Sequence, residues 1–471
     1  MPPRVDLVWF RQDLRRDDQP ALAAAQGKVV GLYVLDEAAA GAWGHGGASR
    51  WWLHHTLKYF EEDLARAGGV LILRRGDMVD EVMALAAALA VDAVHATRHY
   101  EPWHRRAEDS LAERLKARGC RLVLHPPSLL HTPGALHTKA GSPYKVFTPF
   151  WRALAAPGRV APPQAAPPRL DRPRRLPASD KVEDWRLLPT APDWSGGLRA
   201  TWTPGAAAAQ RRLDEFLGRA AHYAAMRDRP DWQGTSLLSP HLHFGEISPR
   251  RIWHRLGHVL GPQAAPFLRQ LAWRDFCAHL LAADPDLAQR SSNPRFRAFP
   301  WASDHPQLAA WRRGNTGYPI IDAGMRALWT TGWLHNRVRM LVASFLAKHM
   351  LVHWRVGAQW FWDTLVDADL ANNSAGWQWV AGSGADAAPY FRIFNPIAQG
   401  AKFDPEGAYV RRWLPALAKL PAPYIHAPWT APPLILEEAG VRLGRTYPQP
   451  ILDHGLARKA ALAAYARVKG G

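Results

Sequence analysis

The stretch Val5-Asp6-Leu7-Val8-Trp9-Phe10, followed by Arg11-Gln12-Asp13-Leu14-Arg15-Arg16-Asp17-Asp18, decides how the chain begins. Its first six residues, mostly apolar with β-branched and aromatic members, read as a buried strand. The turn after them lacks the G-x-G-x-x-G spacing that brings a dinucleotide-binding backbone against a pyrophosphate. Working outward, Lys28–Leu35 and residues 69–73, 92–97 and 121–124 are further short apolar or β-branched runs. Helical patterns lie between them. The clearest starts near Ser49, a good N-cap, and puts Leu53, Leu57, Phe60 and Leu64 on one face. Such alternation predicts a doubly wound parallel sheet over residues 1–130, Rossmann-like in layout but without the usual phosphate turn.

Beyond it, Pro157, Pro162, Pro163, Pro167, Pro168, Pro173 and Pro177 stand among Ala and Arg. Residues 131–205 therefore read as an extended inter-domain linker running over the surface. From 206 to 471 the pattern is helical, as in 211–221, 264–281 and 334–351, with no internal repeat. The expected architecture is an α/β domain, a long linker and a larger all-helical domain.

Composition limits what such a chain can do. At 48% hydrophobic residues it is globular rather than disordered. An excess of 59 Lys+Arg over 41 Asp+Glu gives a net charge of +18. That charge suits a polyanionic partner, whose counterions are released on binding, and equally an Arg-rich genome. Cys120 and Cys277 are too few for a disulfide framework or an iron–sulfur cluster, which fits a reducing cytoplasm. Met1-Pro2-Pro3-Arg4 opens no signal peptide, and no apolar stretch has the length of a membrane span. The chain is expected to be cytoplasmic and without a membrane or metal partner.

Two segments carry polar chemistry. Gly234-Thr235-Ser236-Leu237-Leu238-Ser239-Pro240 precedes a helical stretch; its hydroxyls and N–H groups suit a phosphate cradle and also a hydroxyl-capped helix start. Asp367-Ala368-Asp369-Leu370-Ala371-Asn372-Asn373-Ser374-Ala375-Gly376-Trp377-Gln378-Trp379 gathers carboxylates, amides and indoles. Upstream, Gly332-Trp333-Leu334-His335-Asn336-Arg337-Val338-Arg339-Met340 lines a helix start. Arg339 paired with Asp367 or Asp369 would suit a heteroaromatic ligand, and a structural polar network needs the same residues.

The run Thr316-Gly317-Tyr318-Pro319-Ile320-Ile321-Asp322-Ala323-Gly324-Met325-Arg326 resembles the photolyase/cryptochrome family. So do residues 332–340, 371–379 and 386–396 (DAAPYFRIFNP), and the opening Val8-Trp9-Phe10-Arg11-Gln12-Asp13-Leu14-Arg15. The resemblance implies a monomer, with FAD held by the helical domain and a second, light-harvesting chromophore at the N-terminal domain. A methenyltetrahydrofolate is favoured for the latter, with deazaflavin or flavin as alternatives, and Glu101 and Glu108 near Trp103 are candidates for gripping it. Tyr223, Thr235, Ser236, Leu237, Leu238 and Ser239 match the family's FAD phosphate loop. Trp273, Arg274, Trp333, Asn336, Arg339, Asp367, Asp369 and Asn373 match the flavin and adenine surroundings, with Asn373 at flavin N5. Trp377, Trp354 and Trp301 match an electron-transfer chain running from flavin to surface. The majority of the 23 tryptophans remain ordinary packing.

The resemblance also implies a reaction: light-driven splitting of cyclobutane pyrimidine dimers in DNA, by an electron passed from excited reduced FAD to a flipped-out dimer. Asn336 stands where (6-4) photolyases carry His, and Trp379 and Met340 match the dimer pocket. Arg227, Arg337, Arg392 and Lys402 are candidates for gripping DNA phosphates. One departure is Gln270, where the family commonly has a Glu touching the thymines; Gln offers an N–H but delivers no proton. A DASH-type single-strand photolyase, which usually has Tyr at the Trp379 position, is one alternative. A cryptochrome photoreceptor is the other, set against the short basic stretch 456–469 at the C-terminal end.

Overall fold

The computed structural model describes residues 4–302, 304–387 and 391–469. Met1–Pro3 of the opening tetrapeptide and Ala388–Tyr390 of the DAAPYFRIFNP run lie outside them. Five parallel strands form one sheet: β1 (Val5–Phe10), β2 (Lys28–Leu35), β3 (Leu71–Arg75), β4 (Ala93–Thr97) and β5 (Arg121–His125). Helices α1 (Pro20–Ala24), α2 (Gly47–Arg66), α3 (Met78–Leu89) and α4 (Pro102–Lys116) make the crossovers. The order β3-β2-β1-β4-β5 is the expected doubly wound one. The winding reverses at β1, which pairs with β2 on one edge and β4 on the other. In such sheets the crevice past the strand ends at this point is where ligands gather.

Two local boundaries differ from expectation. Gly46, in extended conformation, is the residue before α2, so Ser49 lies buried inside the helix instead of capping it. Strand β3 starts at Leu71, because the Gly69 N–H turns back to the Leu64 carbonyl at the end of α2 (2.9 Å). Leu53, Leu57, Phe60 and Leu64 are all buried, as their spacing predicts. The Pro-rich tract is a clearer correction, since it does not simply run over the surface. Asp171 O accepts the Val29 N–H (2.7 Å), the Leu170 N–H reaches Ala67 O (2.8 Å) and the Asp180 N–H reaches Leu73 O (2.9 Å). Leu170, Val182 and Trp185 are buried there. Prolines donate no hydrogen bond, but the residues spaced between them do, and the apolar ones seal against the α/β layer.

Packing divides the chain into two compact units. The first comprises residues 1–221, 236–285 and 366–371. Within it, residues 246–260, which include the helix Pro249–Leu260, join the α/β layers through polar links, and the helix Ala265–Ala283 follows. Trp52 of α2 donates to Glu246 (2.9 Å), and Arg250 clasps Asp18 (2.5 Å). Gly245 lies so close to the turn after β1 that a Cβ there would stand 2.3 Å from the Gln12 carbonyl oxygen and the Asp13 Cα.

The second unit comprises residues 222–235, 286–365 and 372–471. Its core is helical: Pro319–Thr331, Asn336–Ser344, Trp354–Thr364 and His454–Lys469, with most of the helix Leu370–Ala381. The helix expected over 334–351 starts at Asn336 and widens into a π turn at Phe345–His349. Asp322, fully buried, ties this unit together by accepting from Thr316, Gly317 and Tyr447 (2.6–3.0 Å).

Candidate active site

In the first unit the hydroxyl-rich loop has a conformational mark. Leu237 is left-handed (φ 55°), and the next residue, Leu238, is right-handed (φ −88°, ψ −4°). That pairing of opposite hands builds a concave nest of backbone N–H groups that suits an anion, and it is costly for a leucine in a bare turn. Ser236 Oγ accepts the Leu238 N–H (3.3 Å). The following helix, Ser239–His243, is only five residues long, so the loop's own N–H groups, more than a helix dipole, are what it offers a phosphate.

Further along the same unit, the helix Ala265–Ala283 presents Gln270, Trp273 and Arg274. Trp273 stacks on Phe147 at 3.6 Å and 7°. Arg274 donates to the carbonyls of Ser128 (2.9 Å) and Leu242 (3.3 Å), so its charge pins two loops. Gln270 Nε2 donates back to Pro266 O (3.2 Å), which uses one of its two amide protons. Asp275 is fully buried, with one oxygen accepting the His131 N–H (2.9 Å) and the other unpartnered. Burial pushes its carboxyl up to about 7. Asp367 is buried, and Asp369 stands 4.0 Å from His243 Nδ1.

In the second unit Tyr223 is buried beneath the Arg227 guanidinium (5.5 Å). Thr235 closes the short segment that leads toward Ser236. Trp333 meets His335 edge-on (6.3 Å), Asn336 is exposed with its amide near Met340 Sδ (3.9 Å), and Arg339 Nε donates to Leu334 O (2.7 Å). Trp379 donates to Asp386 O (3.2 Å). Of the four phosphate candidates, Arg392 and Lys402 are exposed. Arg337 is already paired with Asp228 (2.8 Å) and lies over Phe403 (4.3 Å).

The helix Leu370–Ala381 carries the most specific arrangement. Asn373 Nδ2 donates to Ala358 O (2.9 Å), which fixes the orientation of the amide and leaves Oδ1 as its acceptor. On the same helix Trp377 packs on Gly357, where a Cβ would fall 2.1 Å from Trp377 Cη2. Gly357 lies one turn after Trp354 on the helix Trp354–Thr364. Trp354 is fully buried and donates to Ser291 Oγ (3.3 Å). Its ring lies 5.5 Å from His353, which lies 5.5 Å from the half-buried Trp301. Trp354 and Trp301 are thus linked through His353 from the interior to a half-buried position, while Trp377 packs against the helix that carries Trp354. Ser374 Oγ and Trp377 Nε1 are buried without hydrogen-bond partners.

The first unit thus offers a nest suited to an anion such as phosphate, and the second an oriented amide and buried donors suited to a polar heteroaromatic ring. The pattern described as the FAD binding domain of DNA photolyase matches residues 267–467, and that described as DNA photolyase matches residues 6–169. A deoxyribodipyrimidine photo-lyase of Agrobacterium fabrum is 49% identical over 98% of both chains. Cryptochrome-1 of Arabidopsis thaliana is 37% identical over 96% of this chain and 69% of its own length. The crystal structure of a bacterial class III photolyase from Agrobacterium tumefaciens superposes with a TM-score of 0.96 and 48% identity, over 100% of this chain and 99% of that one. The chain belongs to the photolyase/cryptochrome family. It is an FAD-binding DNA-repair enzyme of the photolyase class.

Proposed function

We propose that this enzyme splits cyclobutane pyrimidine dimers in DNA, using an electron from light-excited reduced FAD. The observation that carries the reading is the fixed amide of Asn373. With Nδ2 held by Ala358 O, Oδ1 is the acceptor a flavin edge needs when that edge carries a proton, as it does in the reduced state. Bound FAD would supply the light absorption and the transferable electron. The nest at Leu237 and Leu238 would hold its phosphates, with Thr235, Ser236 and Ser239 supplying hydroxyls and Tyr223 alongside. Trp273, Arg274, Trp333, Asn336, Arg339, Asp367 and Asp369 would frame its rings.

Trp377, Trp354 and Trp301 would deliver the electron that reduces the cofactor. Trp377 Nε1 has no acceptor, so an oxidised Trp377 has nowhere to lose its proton and must refill from Trp354. The exposed Arg392 and Lys402, with Arg227, would hold DNA phosphates, and Arg337 would join them by exchanging Asp228 for phosphate. The extruded dimer would meet Trp379, Met340 and Gln270, since a base inside a duplex is out of reach.

A second chromophore is part of the same reading. In the first unit a cavity of about 310 Å³ is bounded by Arg98, Tyr100, Glu108, Leu136, His137 and His279, at the lower end of the size range of ligand pockets. We place the antenna there. Glu108 is largely spent on Arg11 (2.9 Å) and the His99 N–H (3.0 Å), so it would act as wall more than as grip. Mass and absorbance of pigment released from purified protein distinguish folate, deazaflavin and flavin.

The decisive test is repair of a thymine-dimer oligonucleotide by dithionite-reduced enzyme. Light-dependent loss of dimers in single and double strands is expected. Repair of single strands alone would favour the DASH-type reading, and no repair despite bound FAD would overturn the proposal.

A further inference from the structure

The β1/β4 switch point holds two groups of buried polar side chains, and they differ in how their charges are paired. Arg11, at the end of β1, pairs with Glu108 (2.9 Å) and donates to Thr97 O at the end of β4. Thr97 in turn donates to Asp13 (2.6 Å). Every charge in that group has a partner. Two residues past Thr97 the second group begins: His99 and Glu101 in the loop from β4 into α4, and His104 in the first turn of α4.

Glu101 precedes the first turn of α4 as its cap residue, yet its side chain accepts no N–H from the helix. The carboxylate is instead 3.5 Å from His99 Nδ1. It is 8% exposed, and among the described residues no Lys or Arg pairs with it. The His99 and His104 rings lie 5.1 Å apart, and His104 Nδ1 is buried with no hydrogen-bond partner. One donor atom from each of the three residues falls within 4.8 Å of the others. The Glu101 carboxylate thus has the His99 imidazole as its partner and no Lys or Arg among the described residues, while the orphaned His104 nitrogen is costly alone; a shared cation would neutralise the first and satisfy the second.

We propose that His99, Glu101 and His104 form a binding site for one divalent transition-metal ion of zinc type. Two imidazoles and a carboxylate are the donor set such ions take, and three protein ligands leave a position open for water. Bonds of about 2.0–2.2 Å would need the donors drawn together by roughly an ångström, within reach of side-chain rotation. His99 also lines the neighbouring cavity, so the ion would form part of its wall. The site stands independently of the repair reaction proposed above.

The test is calorimetric titration of zinc chloride into the chelator-treated FAD holoenzyme. One zinc per chain is expected, weakened at least about tenfold by Glu101→Gln and by His104→Gln, and unchanged by His137→Gln in the cavity wall. Zinc X-ray absorption on the wild-type protein gives a readout that needs no variant, and a nitrogen/oxygen shell with imidazole scattering is expected. Absence of a one-to-one event, binding retained in both cluster variants, or sulfur in the zinc shell would overturn the site.

Discussion

The turn after β1 and the tryptophan path of the second unit solve opposite problems. At the turn, the charged groups are held by several hydrogen bonds each: Arg11 meets Glu108 and Thr97 O, and Asp13 accepts from Thr97, Gln19 and the Arg11 N–H. A dinucleotide-binding fold would put glycine N–H groups against phosphate there; this chain closes the place with side chains, and phosphate-binding geometry appears at Leu237 and Leu238 instead. Along the tryptophan series, by contrast, Trp354 and Trp301 each donate a single hydrogen bond, to Ser291 Oγ and Phe296 O, and Trp377 Nε1 has no partner. A dense hydrogen-bond network fixes structure, whereas an indole without an acceptor keeps its proton when oxidised. The comparison separates groups that hold the fold from groups that we propose carry the electron.

The largest effect is expected at the turn. Arg11→Met strands the Glu108 carboxylate in the interior and should cost about 3–5 kcal/mol, read by urea denaturation. A loss under about 1 kcal/mol would show that the network is not what closes the turn. Next comes the path. Gly357→Ala forces a Cβ to within 2.1 Å of Trp377 and 2.6 Å of Leu346, for about 1–3 kcal/mol of overpacking. It should also slow photoreduction of oxidised FAD by an external thiol. Trp377→Phe should bring that photoreduction to background while sparing repair by chemically pre-reduced enzyme. Unchanged photoreduction would break the assignment of the path.

A smaller, pH-dependent effect belongs to Asp275. Its folded value, about 7, lies above the ordinary 3.8 because it is buried. Such a carboxyl contributes its stability below 3.8, and that contribution is lost as pH rises through 7. Melting temperature should therefore fall across this window more in wild type than in Asp275→Asn, and parallel profiles would refute the assignment. The smallest effect is expected from Gln270→Glu, which should keep or slightly raise the repair yield. A clear loss would mean the pocket is built around the amide, whose Nε2 already holds Pro266 O.

Much of this was legible in the letters because it is local or periodic. Strands β1 and β2 and the buried face of α2 follow from apolar spacing, which burial enforces along one element at a time. Asn373 and Trp377 were singled out inside a long shared motif, and Trp354 and Trp301 by their matching places in the family resemblance, not through spacing of their own. What escaped was set by contacts between distant residues. Ser49 reads as a cap, but the chain enters α2 three residues earlier at Gly46. The prolines read as a surface linker, yet the residues between them bond to Val29, Ala67 and Leu73. His99, Glu101 and His104 lie close together in sequence, but only folding shows a carboxylate turned from its helix toward two imidazoles.

By itself, then, the sequence determined the order of elements, the parallel sheet and the chemical inventory, since backbone propensity and apolar period are properties of short windows. Tertiary structure alone decided which polar groups are satisfied. It spent Arg11 on Glu108, left Trp377 Nε1 bare and turned the Asn373 amide so that its oxygen remains to accept. A hydrogen bond needs a partner within about 3 Å, and the fold supplies that partner from 97 or 15 residues away, beyond the reach of any local pattern.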